Sequence, residues 1–234
     1  YFEKKIADRF LTWGWKDNDK KNFPLFLTTT CNKKIVKKSD ANGVVLSIVD
    51  FRDIPWRIQN NPREASEVNK YTNDIMDFLS NLNSEIFTKT KVKCRLLSNQ
   101  LKIYKRIKSK FPNLSFYDNT RRLFEDSKKF KIVIETVNST GFLEALNLNI
   151  PVILLCSKDF LVPRKNILQY FKLLEEVNII QCTSLQASNF INVKYDEIDK
   201  WWFSKEVQSA RKKFCDNICR SSKFYISDIK ESLT

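Results

Sequence analysis

The apolar triplet Ile132-Val133-Ile134 runs directly into Glu135-Thr136-Val137-Asn138-Ser139-Thr140-Gly141, and a helix-prone segment carrying Glu144 follows. A strand that delivers small hydroxyl and amide residues to the start of a helix builds an anion site. The unpaired N–H groups and dipole of the helix N-terminus favour a phosphate or a sugar carboxylate. Asn138, Ser139 and Thr140 would add side-chain donors, and Glu144, about one turn into the helix, could accept hydrogen bonds from a ribose or sugar hydroxyl. The same residues also fit a purely structural role, in which Asn138 or Ser139 caps the helix and Glu144 supports its first turn. The short motif by itself leaves both readings open.

Cationic side chains follow other apolar runs. Arg95 comes after Val92-Lys93-Cys94, and Arg52 and Arg57 come after Val44 to Val49, with Arg52 closer to the strand end. A guanidinium at such a place could clamp a diphosphate or a sugar carboxylate through two parallel hydrogen bonds, or could pair on the surface with Asp118 or Glu125 in the case of Arg95. Lys158 and Arg164 lie beyond the run Pro151 to Leu155 and have the same two options, an anionic donor or solvent.

The chemistry within the chain is bounded by what it lacks. There is no histidine among its 234 residues, which excludes a Ser-His-Asp or Cys-His hydrolase, a histidine-ligated metal and a histidine base; proton transfer would fall to carboxylates, Lys, Tyr or Cys. The six cysteines, at positions 31, 94, 156, 182, 215 and 219, form no CxxC pair and read as buried thiols, with no metal site expected. A net charge of +14 favours polyanionic partners: nucleic acid, an anionic membrane surface or phosphorylated small molecules. Lysine is spread along the chain rather than gathered in an arm, and no zinc-finger, helix-turn-helix or RNA-recognition motif is present, so nucleic acid is not the expected partner. No stretch approaches the roughly 20 apolar residues of a bilayer span, and no secretory pattern opens the chain. A soluble, cytoplasmic domain is expected, with peripheral association at the inner membrane left open.

The elements that must position these residues alternate. Strand-like runs at Val44 to Val49, Val92 to Leu97, Leu114 to Tyr117, Lys131 to Glu135 and Pro151 to Leu155 are separated by helical periods at Glu64 to Leu82, Leu101 to Phe111, Asn119 to Ser127 and Thr140 to Leu148. This is the pattern of βαβ units and predicts an α/β, doubly wound, Rossmann-like parallel sheet. Its ligands would bind beyond the carboxyl ends of the strands. Ile167 to Val177 predicts a further helix and Ile179 to Cys182 an extended piece. Mostly helical sequence then runs to the end, with Ser184 capping Leu185 to Val193 and Ser204 capping a basic helix to Cys219. Trp201 and Trp202 are read as packing residues. At the other end, Phe2, Ile6, Phe10 and Trp13 predict a helix from Phe2 to Trp15 that stops at Gly14, and Leu25 to Thr30 predicts a short extended piece.

Thr136 through Ile153, T-V-N-S-T-G-F-L-E-A-L-N-L-N-I-P-V-I, resembles the donor-site segment of GT-B glycosyltransferases. More narrowly, the chain resembles the C-terminal part of a family of bacterial transferases linked to surface-carbohydrate synthesis. That resemblance is carried by Ala7-Asp8-Arg9-Phe10-Leu11-Thr12-Trp13-Gly14-Trp15, by the N-S-T segment, and by Trp201-Trp202 with Ser204, Val207, Gln208, Ala210, Arg211 and Phe214. Val137 and Gly141 stand where the family pattern has an aromatic residue and usually a threonine.

The resemblance implies a metal-independent transferase that binds a nucleotide-activated sugar as donor substrate, without a separate cofactor. Donor binding would fall to Arg95, Thr136, Asn138, Ser139, Thr140 and Glu144, with Arg52, Lys158 and Arg164 as further candidates. The expected organisation is an N-terminal helix and linker over residues 1–40, the nucleotide-sugar-binding domain over 41–183 and C-terminal helices packed on it over 184–234. Because the chain opens at Tyr1 and runs straight into an amphipathic stretch, it is expected to be a piece of a longer protein. The remaining N-terminal domain would then supply the catalytic base; Glu135 and Glu144 are weaker candidates within this chain. A glycan or lipid-linked acceptor completes the expected partners. A sugar-nucleotide epimerase using the same cradle and a basic nucleic-acid-binding module are the alternatives.

Overall fold

The computed structural model describes residues 2–16, 18–31, 33, 41–49, 65–94, 102–117 and 129–233. The first elements are short. Helix α1 (Phe2–Ile6) is followed by strands β1 (Phe10–Thr12) and β2 (Asn22–Pro24), which pair in parallel from Phe10↔Asn22 to Thr12↔Pro24. The helix expected from Phe2 to Trp15 therefore ends at Ile6. Its apolar spacing fits a short helix followed by an alternating strand equally well, and long-range contacts decide between them. Thr12 is buried, and its hydroxyl donates to the Trp15 carbonyl at 2.7 Å and accepts from the Gly14 N–H at 3.3 Å, closing a tight turn. Beyond β2, Leu25, Phe26 and Leu27 are buried and lead into a 3-10 turn at Thr28–Thr30.

The main sheet is built from β3 (Gly43–Ile48), β4 (Thr90–Cys94), β5 (Ser115–Phe116), β6 (Phe130–Glu135), β7 (Val152–Leu155) and β8 (Ile180–Gln181). All of its pairings are parallel, in the order β5-β4-β3-β6-β7-β8. Counted along this sheet alone the order is 3-2-1-4-5-6, the doubly wound arrangement of dinucleotide-binding folds. Such strands are covered on both faces and so read as unbroken apolar runs; Val44, Val45 and Leu46 in β3 and all four residues of β7 are buried.

Two helical layers supply the cover. On one face α2 (Ala65–Ser80) and α4 (Lys102–Lys110) pack with α7 (Ser184–Lys194), through Ile75, Phe78, Ile103, Ile107 and Ile191, against Val44, Leu46, Ile132 and Ile134. A short α3 (Ser84–Lys89), not expected from the periodicity, precedes β4. On the other face α5 (Thr140–Asn147) and α6 (Leu168–Glu176) are joined by α9 (Lys205–Ile218), with Phe142, Phe171, Leu174 and Phe214 against Val133, Val152 and Leu154. Between α7 and α9 lies α8 (Ile198–Trp202), and α10 (Tyr225–Leu233) ends the chain. None of the described helices is long and apolar enough to cross a membrane. The expected helix Asn119 to Ser127 lies outside the described residues.

Two helix ends share one device. Asn149 and Asn178 adopt positive φ, 59° and 64°, just past α5 and α6. The next N–H, Ile150 or Ile179, reaches back to Ala145 or Leu174 at 2.9 Å in each case. These are Schellman caps with asparagine in the place glycine usually takes, in a chain that has only 3 glycines. The cap of α7 differs from expectation. Thr183 accepts from the Gln186 N–H, while Ser184 is already helical and donates to the Asp74 carbonyl on α2 at 2.8 Å. Ser204 does cap α9, accepting from the Val207 N–H. All six cysteines are free thiols, four of them buried.

The N-terminal segment is fastened to the end of α9. The Arg220 N–H donates to the Trp13 carbonyl at 2.7 Å, and the Arg220 carbonyl accepts from the Leu27 N–H at 2.8 Å. Gly14 makes this approach possible: its φ is +120°, and a Cβ there would lie 2.6 Å from the Arg220 Cβ. Replacing Gly14 with Ala therefore combines backbone strain with a clash. It is expected to lower unfolding stability by about 2 kcal/mol, measured by urea denaturation at equilibrium.

Candidate functional site

The strand order reverses between β3 and β6, and the loops beyond their carboxyl ends diverge there. This is the place where doubly wound sheets take their ligands. Four groups tie the two strand ends together. The Thr136 hydroxyl donates to the Ser47 carbonyl at 2.8 Å and accepts from the Tyr71 hydroxyl at 2.6 Å, and the Tyr71 hydroxyl accepts from the Val49 N–H at 2.9 Å. Every member of this chain has its partner, which makes it a rigid seam rather than a free ligand contact. Thr136 is 1% exposed, so its hydroxyl works inside the fold.

Glu135 lies beside this seam. The register sets it between Ser47 on β3 and Leu154 on β7, and it is buried. Burial pushes its carboxyl up to about 7, from an ordinary 4.5; a hydrogen bond from the Ser47 side chain pulls it down, the nearby Glu144 carboxylate pushes it up, and Lys93 pulls it down slightly. The carboxyl lies over the start of α5. A Cβ on Gly141 would meet Glu135 Oε1 at 3.0 Å and Ser139 Oγ at 3.4 Å. Glycine at 141, with no Cβ to meet that oxygen, leaves the carboxyl room to approach this closely.

The turn into α5 presents its polar residues outward. Asn138 and Thr140 are exposed, and Ser139 and Glu144 are half-buried. Ser139 has the extended backbone of an N-cap, with φ −116° and ψ 173°, yet its side chain makes no capping hydrogen bond. Glu144 is the fifth residue of the helix, two places beyond the third position that a capping box requires. Helix capping therefore does not account for these two side chains, and the first-turn N–H groups of α5 receive no side-chain cap from Ser139.

The remaining expected residues separate. Lys158 is exposed and pairs with Glu175 at 3.3 Å. Arg164 is exposed too, and its carbonyl accepts from the Ile167 and Leu168 N–H groups in the turn before α6. Arg52, Arg57 and Arg95 lie outside the described residues. Sequence reasoning passed over Tyr71, whose ring belongs to the apolar stripe of α2, and over Lys70, which reaches from α2 to pair with Asp159 and donates to the Ser157 hydroxyl in the loop after β7. Between them a recess of about 10 Å³, lined by Tyr71, Thr136, Ser157 and Phe160, has room for no more than a water molecule.

A family model described as LIC12162 family transferase matches residues 1–233. The chain belongs to that family. No curated protein matches it. For this LIC12162 family transferase, the site beyond β3 and β6 combines a helix N-terminus without a side-chain cap from Ser139, exposed hydroxyl and amide groups and a buried carboxyl that burial pushes toward its neutral form.

Two outcomes follow from the geometry. The folded value for Glu135 lies above its unfolded value, so the folded state holds the proton more tightly, and stability falls as pH rises from about 4.5 to 7. Thermal unfolding of Glu135→Gln should lack that decline, gaining up to about 3 kcal/mol on the parent at pH 8. Tyr71→Phe strands the Val49 N–H and should cost about 1–3 kcal/mol in denaturant titration.

Proposed function

We propose that this transferase moves a glycosyl group from a nucleotide-activated sugar, and that the chain is the donor-binding, Rossmann-like half of a GT-B arrangement serving surface-glycan synthesis. The observation that carries this reading is the turn Asn138-Ser139-Thr140. It opens α5 toward solvent beside the reversal of strand order, with exposed donors and no side-chain cap from Ser139.

In this role the first N–H groups of α5 and the Ser139 and Thr140 hydroxyls hold the phosphates. They stabilise negative charge on the leaving nucleotide as the sugar bond breaks. Glu144, one turn further on, accepts hydrogen bonds from ribose or sugar hydroxyls. Arg52 and Arg95, which follow β3 and β4 in the chain, supply guanidinium contacts to the diphosphate. Glu135 fits an anion site because burial keeps much of its population neutral near pH 7, so it repels a phosphate less than an ordinary carboxylate would. Thr136 and Tyr71 act on the ligand only through the backbone they fix. The acceptor, a glycan or lipid-linked sugar, and the catalytic base come from outside the donor cradle, the base from a further domain of the same protein.

Calorimetric titration with CMP, UDP and GDP tests the proposal. One of them should bind saturably, and Ser139→Ala with Thr140→Ala should weaken that binding by about tenfold or more. Binding of a nucleotide with unchanged affinity in the double variant would place the donor elsewhere. No binding of any of the three at millimolar concentration would count against a donor site in this chain.

A further inference from the structure

A second cavity, far larger than the recess beside Tyr71, opens on the α5-α6-α9 side of the molecule, with a volume of about 520 Å³. That lies within the roughly 300–1,000 Å³ of typical small-ligand sites. Four separate segments form it: the turn after β1 with Trp15, the end of β2 with Pro24, the start of α6 with Asn166 and Tyr170, and the end of α9 with Asp216 and Asn217.

Chain direction puts it on the ligand edge of the sheet. α6 starts from the carboxyl end of β7. α9 runs antiparallel to α5: Arg211 reaches the Leu146 carbonyl at the far end of α5, and Cys219 approaches the Leu143 carbonyl nearer its start. The cavity therefore shares an edge with the Ser139-Thr140 turn, while none of its lining residues belongs to that turn.

Part of its wall is fixed before any ligand arrives. The Tyr170 hydroxyl donates to Asn217 Oδ1 at 3.0 Å, and Asn217 Nδ2 donates to the Lys213 carbonyl at 2.8 Å, which sets the amide's orientation and leaves each end capacity for another bond. The Trp15 carbonyl accepts from Thr12, and its ring lies 6.3 Å from that of Phe10. Arg220 is locked by its backbone bonds to Trp13 and Leu27.

The chemistry of the lining selects a class of ligand. The lining holds Lys16 and Arg220 together with Asp216, and Arg220 lies 4.0 Å from the Asp228 carboxylate, so the wall carries charges of both signs rather than the positive cluster that a phosphate would call for. An indole, a phenol, two side-chain amides and one carboxylate suit a ring with an apolar face and a rim of hydroxyls: the aromatic surface covers the C–H face, and the amides and carboxylate bridge neighbouring hydroxyls.

We propose that this cavity binds a pyranose ring of the acceptor glycan. The site is independent of nucleotide binding; only its assignment to the acceptor rests on the glycosyl-transfer reading. The sugar of the activated donor is the other source of the same chemistry, and the experiment separates the two.

The test follows the tryptophan indole N–H signals of the ¹⁵N-labelled protein by NMR, with the Trp15 signal assigned from Trp15→Phe. The methyl glycosides of glucose, galactose, mannose and N-acetylglucosamine are titrated without nucleotide, with inorganic phosphate in parallel. At least one glycoside should shift the Trp15 signal saturably at millimolar concentration, and Asp216→Ala should weaken that binding by about tenfold. Asn166→Ala, at an exposed position, should weaken it as well while leaving the other indole signals in place. UDP-glucose should not displace the bound glycoside; displacement would assign the cavity to the donor sugar and overturn the acceptor assignment. Absence of any shift with all four glycosides, a shift with phosphate alone, or glycoside binding unchanged in both variants would overturn the site. Nucleotide binding to the Ser139-Thr140 turn is read separately, so either proposal can fail without the other.

Discussion

The pairing of β3 with β6 is the constraint on which the rest of the molecule depends. Each half of the sheet grows outward from this seam. Helices α2 and α4 return across one face and α5 and α6 across the other, because the crossovers on its two sides go to opposite faces. At the carboxyl end the two chains must part, and parting strands leave backbone groups without ladder partners. The hydroxyls of Thr136 and Tyr71 take over two of them, the Ser47 carbonyl and the Val49 N–H. The loop after β3, the second turn of α2 and the exit from β6 thus become one rigid corner. A ligand reaching this edge meets a surface whose shape is already settled, which limits the ordering cost of binding.

The far end of α5 is held as firmly as its start is left open. Asn149, in the left-handed conformation that closes the helix, also serves the C-terminal helices: its carbonyl and side-chain oxygen accept from the Trp202 indole, and its side-chain oxygen accepts from Gln208. Arg211 donates to the Leu146 carbonyl, which also accepts from the Asn149 N–H at 3.2 Å, so the last turn is held from the helix cap and from α9 together. Trp202 is completely buried. The segment beyond the sheet thereby fixes the axis of α5, and with it the direction of the dipole and the first-turn N–H groups at the candidate site. The tryptophan pair and the N-S-T turn are two ends of one arrangement.

What could be read from the amino-acid order follows from how local each cause is. The buried strands were legible because a parallel sheet covered on both faces demands apolar residues at every position, as in Val44-Val45-Leu46 and Val152 to Leu155. The N-S-T turn was legible because a strand followed by small polar residues and a helix is a local pattern. β1 and β2 were not: three-residue strands have no period of their own, and they form only because Thr12, Gly14 and Arg220 meet across more than two hundred residues. Tyr71 was half-legible. Its ring fits the apolar stripe of α2, but the task of its hydroxyl depends on where β3 happens to end. Glu135 was legible as the end of a strand but not as a buried carboxyl; the register, which sets it between Ser47 and Leu154, places it inside. Asn149 and Asn178 carried a signal that was available, an asparagine between a helical period and a strand, in a chain with few glycines to do that work.

The excess of positive charge has a physical disposition that bears on partners. Several lysines lie over aromatic rings: Lys89 and Lys131 flank the Tyr195 ring at 5.1 and 4.7 Å, Lys93 approaches Tyr117 at 5.0 Å and Lys108 approaches Phe116 at 5.4 Å. An ammonium held this way keeps its charge while its methylene stem covers apolar surface. Such lysines extend the cover of the sheet in a chain with 18 phenylalanines and 7 tyrosines. They contribute to the net charge of +14 while each is engaged with a ring of the fold. The charge then acts as a diffuse field over the surface rather than a positive stripe built by these lysines.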